Sequence, residues 1–120
     1  MQISVTGRHM QITDAIREHA LGSVQHGLHE FPRVESVHVI LDVEKYRHIA
    51  EVVIQAPNHI RIEARHESDD MYVSIDGAVE KGEKQLRKHW DKMQNHKARD
   101  SLASVDLNAQ AAAEGTEENR

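Results

Sequence analysis

The sequence of 120 residues predicts an α+β fold: a four-stranded mixed sheet with two helices packed on one face, in the order β-α-β-β-β-α. Four short segments alternate apolar and polar residues, which is the pattern of strands that bury one face. Two longer segments repeat apolar residues at helical spacing and would cover that face. Because the chain is short and these elements share one apolar face, we expect a single folded domain.

The first two elements are a short strand over residues 2–6 and an amphipathic helix. Thr13 is suited to the N-cap of the helix and Asp14 to its first turn, where a negative charge is favourable. Pro32 would end the helix. The apolar positions of the helix are Ile16, Ala20, Val24, Leu28 and Phe31. A β-α-β connection is right-handed, so the first strand should be parallel to the second if the two are neighbours.

Three alternating segments then predict consecutive strands at residues 37–43, 50–56 and 60–64. A turn at residues 45–47 separates the first pair, and Pro57-Asn58 is a turn signal between the second pair.

The last helix is predicted from about residue 68 to residue 99, with Ser68 or Asp69 as its N-cap. One arc of this helix is apolar and faces the core: Tyr72, Ile75, Val79, Gly82, Leu86, Trp90 and Met93. A second arc carries four lysines, which are Lys81, Lys84, Lys88 and Lys92. Because the net charge of the chain is −5, this basic stripe suggests a polyanionic partner, with an ordinary solvated helix face as the alternative.

Most of the acidity of the chain lies in its C-terminal segment. Residues 1–99 carry 14 Lys and Arg against 15 Asp and Glu, whereas residues 100–120 carry one Arg against five acidic residues. This segment is rich in small and polar residues, which cannot bury enough apolar surface to become ordered. We therefore expect a folded domain over residues 1–98 and a disordered acidic tail over residues 99–120.

Several functional classes have no support in the residues. The chain has no cysteine, and its ten histidines do not form an HExxH motif or another close ligand spacing. We find no phosphate-binding loop, nucleophile elbow, signal peptide or membrane-spanning apolar run. The sequence therefore predicts a cytoplasmic protein that is not an enzyme, with no metal, cofactor, small-molecule substrate or membrane partner.

Three segments of the chain carry a family resemblance: MQISVTGRHMQITDAIREH, VHVILDVEK and DMYVSIDGAVEKGEKQLRKH. They resemble the bacterial ribosome hibernation factors, namely the hibernation promoting factor and the ribosome-associated inhibitor. The resemblance implies a double-stranded-RNA-binding-like domain that lies between the head and body of the small ribosomal subunit. There it would overlap the mRNA and tRNA sites at the decoding centre, inhibit translation and preserve idle ribosomes in stationary phase or stress.

The resemblance also implies which residues contact ribosomal RNA. On the last helix these are Lys81, Lys84, Gln85, Arg87, Lys88 and Lys92. Weaker candidates lie near the first loop and at the hairpin: Arg8, His9, Arg17, Lys45 and Arg47. Two positions depart from the family pattern, because Gly82 replaces a larger residue and should loosen the helix, and Trp90 stands where a lysine is frequent.

The tail is too short to form the second, dimerising domain of the long hibernation factors, so we expect no self-dimerisation domain. Whether the protein promotes or prevents ribosome dimers is left open. The alternative function is a protein-binding regulator of the sigma-factor-modulation type. Such a regulator would use an apolar patch on the outward sheet face, for which Ile40, Ile49 and Val53 are the candidates.

The ten histidines predict a pH-dependent association with ribosomes. Protonated imidazoles add positive charge, so binding should tighten as the pH falls from about 7.5 to 6. Co-sedimentation with ribosomes at a series of pH values measures this effect, and equal affinity across the range would contradict it.

Overall fold

The structure, a computed structural model, describes the backbone of residues 1–102 and the side chains of residues 1–91. Its elements follow the predicted order and are β1 Gln2–Arg8, α1 Asp14–Gly27, β2 Ser36–Glu44, β3 Arg47–Ala56, β4 Ile60–Ser68 and α2 Met71–Leu102. Residues 99–102, which the sequence assigned to the tail, belong to α2. The rest of the predicted tail lies outside the described residues. The packing described below lies within the compact unit Met1–Leu86.

The four strands form one sheet in the order β1-β2-β3-β4. β1 and β2 are parallel, whereas the other two neighbouring pairs are antiparallel, which confirms the predicted mixed sheet. Val5, Val39, Val52 and Ala64 lie side by side in one row across the four strands. Because alternate residues of a strand point to opposite faces, this register gives the sheet one apolar face.

The core lies between that face and the two helices. α1 buries Ala20 and Val24. α2 buries a row of side chains along one side, which are Met71, Ser74, Ile75, Ala78, Val79 and Leu86. Burial of each large aliphatic side chain stabilises the fold by about 1.5–3 kcal/mol, so this contact supplies the main favourable term in folding.

Two glycines let the helices approach closely. A Cβ atom at Gly82 of α2 would lie 2.9 Å from Ile54 Cδ1 on β3, and one at Gly27 of α1 would lie 2.6 Å from Val79 Cγ1 on α2. Both distances are shorter than carbon atoms tolerate. The sequence placed Gly82 on the core-facing arc and identified it as a departure that should loosen the helix. In the structure, Gly82 permits the close contact between α2 and the sheet.

The ends of two elements differ from the prediction. β1 continues to Arg8, two residues past its predicted end. α1 ends at Gly27 rather than at Phe31, because Leu28 leaves helical geometry while its N–H still donates to the carbonyl of Val24. Leu28 and Phe31 are nevertheless buried. The apolar spacing therefore predicted the burial of Leu28 and Phe31 correctly, although both residues follow the end of the helix.

The start of α2 also differs. The helix begins at Met71, and Asp70 Oδ1 accepts a hydrogen bond from the backbone N–H of Tyr72 at 2.9 Å. Asp70 thus takes the N-cap role that was predicted for Ser68 or Asp69. As a result Met71 is buried, whereas Tyr72, predicted to face the core, is 41% exposed.

Gly22→Ala is expected to raise the free energy of unfolding by about 0.5–1 kcal/mol, because alanine favours a helix and restricts the unfolded chain. Gly22 lies inside α1, and a Cβ atom there would meet nothing within 4 Å. Urea denaturation followed by circular dichroism measures the change.

Gly27→Ala is the matched control in the same helix. Its Cβ atom would collide with Val79, so we expect a loss of about 1–3 kcal/mol. A Gly27→Ala protein that is as stable as the parent, or more stable, would contradict the close contact at Gly27.

Candidate nucleic-acid interface

Three of the predicted RNA contacts, Lys81, Lys84 and Gln85, are exposed residues of α2 within the compact unit. Lys81 Nζ donates a hydrogen bond to the backbone carbonyl of Arg65 at 3.0 Å. Lys84 Nζ lies 3.5 Å from Glu80 Oε2 in an i,i+4 ion pair. Exposed pairs of this kind stabilise a helix by only about 0.3–0.5 kcal/mol. The pairing therefore leaves Lys84 able to turn toward a phosphate.

The remaining helical candidates follow the compact unit. Arg87 and Lys88 are exposed residues of α2. Lys92 belongs to the same helix, but its side chain lies outside the described residues.

Four other candidates, Arg8, His9, Lys45 and Arg47, lie at one end of the sheet. Arg8 is the last residue of β1 and lies beside Asp42 of β2. Two residues further along β2, Glu44 lies opposite Arg47 across the hairpin. The register therefore brings the end of β1 and the β2–β3 hairpin together. Arg17, the remaining candidate, is exposed one turn into α1.

Arg47 is engaged in two ion pairs. Its Nη2 atom lies 3.0 Å from Glu44 Oε1, and its Nη1 atom lies 3.0 Å from Glu67 Oε2 on β4. Charge-assisted hydrogen bonds to two carboxylates hold the guanidinium group across the strands. Arg47 therefore braces the hairpin, a role that the sequence did not predict.

His9 holds a carboxylate of the sheet. His9 Nδ1 lies 3.0 Å from Asp42 Oδ1, which also accepts the backbone N–H of Val43 at 2.8 Å. The hydrogen bond from His9 is the main cause that lowers the pKa of Asp42, and the Val43 N–H acts in the same direction against the effect of burial. His9 also has a φ of 53°, in the left-handed region. This geometry makes His9 a structural residue as well as a candidate contact.

The segment DMYVSID, which carries much of the family resemblance, connects α2 to α1 through side-chain contacts. Asp76 Oδ1 lies 2.9 Å from both His19 Nε2 and Ser23 Oγ of α1. The ring of Tyr72 meets the His19 ring edge-on, with centroids 4.8 Å apart. Asp70 caps α2 in the same segment. The sequence did not identify His19 and Ser23, because their partner lies more than fifty residues away along the chain.

The structure does not favour the apolar patch that the sigma-factor alternative would use on the helix-free sheet face. Ile49 is only 6% exposed, and Ile40 and Val53 are half-buried. Charged side chains share this face with them, since Glu51 lies next to Ile40 and Arg65 lies next to Glu51 in the register.

Other kinds of site were sought in the part of the chain that the structure describes. There, no group of three metal-ligating side chains comes together. Within the same residues, none of the helices is both long and apolar enough to span a bilayer.

The most exposed large apolar side chain among the described residues was not predicted. Tyr46, at the tip of the β2–β3 hairpin, is 87% exposed. Its place in the predicted turn, between Lys45 and Arg47, was the only signal in the sequence.

Comparison with known proteins finds one matching family and relatives that share one name. Residues 3–94 match the family described as Sigma 54 modulation protein / S30EA ribosomal protein. The ribosome hibernation promoting factor of Escherichia coli is 38% identical over 96 residues, which cover 80% of this chain and 100% of the relative. The factor of the same name from Pseudomonas putida is 33% identical over 79% of this chain and 92% of its own length.

Two solved structures share the fold. A ribosomal subunit interface protein from Coxiella burnetii has a TM-score of 0.68 and 29% identity, and the match covers 76% of this chain and 99% of that one. The N-terminal domain of Thermus thermophilus Protein Y has a TM-score of 0.67 and 27% identity, over 74% of this chain and 99% of that one.

His9→Gly is expected to move the pKa of Asp42 up toward its ordinary value of 3.8, because the main group that lowers it is removed. Since the folded-state pKa of Asp42 is lowered, its contribution to stability is present above the ordinary pKa and is lost as the pH falls through the lowered value. An NMR titration of the Asp42 side-chain carbonyl carbon measures the shift.

His59→Gly serves as the control, because His59 also has a left-handed backbone, with a φ of 62°, but lies in the β3–β4 turn. It should leave the pKa of Asp42 unchanged. An Asp42 pKa that does not move in His9→Gly would contradict the assigned cause.

Proposed function

Since this chain belongs to the family described as Sigma 54 modulation protein / S30EA ribosomal protein, we propose that it is a ribosome hibernation factor. Such a protein binds idle ribosomes, inhibits translation and preserves the particles during stress or in stationary phase. The observation that carries the proposal is the match over the full length of the Escherichia coli ribosome hibernation promoting factor. The shared fold of a ribosomal subunit interface protein supports it.

The proposed partner is the small ribosomal subunit, bound through its RNA in the channel that mRNA and tRNA use. Exposed cations on α2 support this choice, among them Lys84 and Lys88. Each amine can neutralise one phosphate and release counterions, without selecting a base sequence. The expected result is binding that depends on the shape and charge of folded RNA and weakens with salt.

The proposed interface has two parts. The first is the group of α2 residues Lys81, Lys84, Gln85, Arg87, Lys88 and Lys92, and the second is the sheet end with Arg8, His9 and Lys45. Arg47 contributes by bracing the hairpin with two ion pairs. Arg17 on α1 is a further candidate.

The proposed activity is steric. A folded domain over residues 1–98 would occupy the channel, and no bond is made or broken in the process. Ribosome association places the protein in the cytoplasm in this proposal. The acidic tail is assigned no contact with RNA, since its charge is of the same sign as the phosphates.

The burial of Ile49 and the half-burial of Ile40 and Val53 speak against the sigma-factor alternative, which needed an exposed apolar patch. We therefore propose ribosome binding alone.

Charge reversal on α2 tests the proposal. Purified small subunits are sedimented with the full chain over about 50 to 300 mM salt, and the slope of log affinity against log salt is measured. The parent should bind less tightly as salt rises. Lys84→Glu with Lys88→Glu should lower the affinity at least about tenfold and reduce the slope by about 2, because two phosphate contacts are lost.

The matched control is Arg61→Glu with Arg65→Glu on β4, which changes the net charge by the same amount on the helix-free sheet face. It should retain most of the parent's affinity. Equal losses for the two pairs would mean that only net charge matters, and would refute the assignment of α2. Absence of binding by the parent would refute the function itself.

A further inference from the structure

We propose that the β2–β3 hairpin carries a base-stacking site, in which the Tyr46 ring stacks on an unpaired base of RNA and Lys45 binds an adjacent phosphate. The site rests on the proposed function, because ribosomal RNA is its source of unpaired bases. The site adds aromatic stacking on a base to an interface whose other proposed contacts are with phosphates.

The exposure of Tyr46 is the first observation. The residue is 87% exposed, compared with 41% for Tyr72, whose ring contacts His19. A tyrosine side chain has a large apolar area that is normally at least partly buried. Its position at a hairpin tip, away from the core, leaves both faces of the ring open to a partner.

The rigidity of the hairpin is the second observation. Glu44 and Arg47 are opposite each other in the last pair of the β2–β3 ladder, and the Arg47 guanidinium group also binds Glu67 of β4. Lys45 turns the chain with a left-handed φ of 57°. Because the Glu44–Arg47 ladder pair orders the backbone on both sides of the Lys45-Tyr46 turn, binding would order little more than the side chains themselves.

The charge beside the ring is the third observation. The carboxylates of Glu44 and Glu67 are matched by two arginines, because Arg47 pairs with both of them and Arg65 Nη2 lies 3.6 Å from Glu67 Oε1. Lys45, in contrast, forms no ion pair with any residue that the structure describes. An aromatic ring next to an ammonium group without an ion-pair partner matches one nucleotide, since the ring stacks on the base and the ammonium group donates to the phosphate oxygens.

The same neighbours argue against a protein partner. An apolar docking surface needs a contiguous patch, but Glu44, Lys45 and Arg47 surround Tyr46 in sequence and all are exposed and charged. A single ring among charges has too little apolar area for a protein contact, yet stacking on a base requires only one ring face.

The affinity of the full chain for small subunits tests the site, with four variants. Tyr46→Ala and Tyr46→Leu should each weaken binding at least about fivefold, and Tyr46→Phe should bind within about twofold of the parent, because stacking needs the ring and not the hydroxyl. The slope of log affinity against log salt should be unchanged in these variants. Lys45→Ala should instead lower that slope by about 0.7–0.9.

Ultraviolet cross-linking identifies the molecule that contacts the ring. A tyrosine stacked on a base forms a zero-length cross-link to RNA, so the peptide that contains Tyr46 should carry a nucleotide by mass spectrometry. A cross-link of that peptide to a ribosomal protein would overturn the proposal. Retained affinity in Tyr46→Leu with loss in Tyr46→Ala would also overturn it, because apolar area would then suffice.

The outcomes separate this site from the proposed function. Binding by the parent together with parental affinity in Tyr46→Ala would overturn the stacking site alone. A parent that binds no ribosomes would overturn both. Because Tyr46 is so exposed, Tyr46→Ala should unfold at the same urea concentration as the parent, which confirms that any loss arises at the interface.

Discussion

The close approach of both helices to one sheet face is the constraint on which the rest of the structure depends. Gly27 and Gly82 allow it, since a methyl group at either position would collide with Val79 or Ile54. Once the helices lie this near, Asp76 of α2 can bond to α1, and the core closes around aliphatic side chains. The groups that can meet a partner then lie on the outer sides of the helices, on the helix-free face of the sheet and at its ends.

The periodicity of the sequence was sufficient to predict the order and type of the elements, but not the residues at which they begin and end. Apolar spacing reports which residues are buried, and Leu28 and Phe31 are buried although α1 has already ended at Gly27. At α2, Ser68, Asp69 and Asp70 are adjacent residues that can all cap a helix, so composition could not select Asp70. The parallel pairing of β1 and β2 was predictable because the handedness of a β-α-β connection is nearly fixed.

The types of residue in the candidate interface were predictable, but their partners were not. Arg47 and Glu67 are 20 residues apart, and Lys81 and Arg65 are 16 apart, so each contact depends on the register of strands and the placement of a helix. Rules based on neighbouring residues predict neither the strand register nor the placement of the helix. Tyr46 was not identified for a related reason. Its place in a turn does not show how much of its side chain is exposed, and the structure shows that the ring is 87% exposed to solvent.

Lys81 has a consequence for the edge of the sheet. β4 is an outer strand of the sheet, and the backbone groups of such a strand can recruit a further strand from another molecule. The ammonium group of Lys81 lies 3.0 Å from the carbonyl of Arg65 on β4, where an added strand would have to displace it and desolvate a charge. One lysine therefore occupies a carbonyl of an outer strand while it remains a candidate for RNA contact.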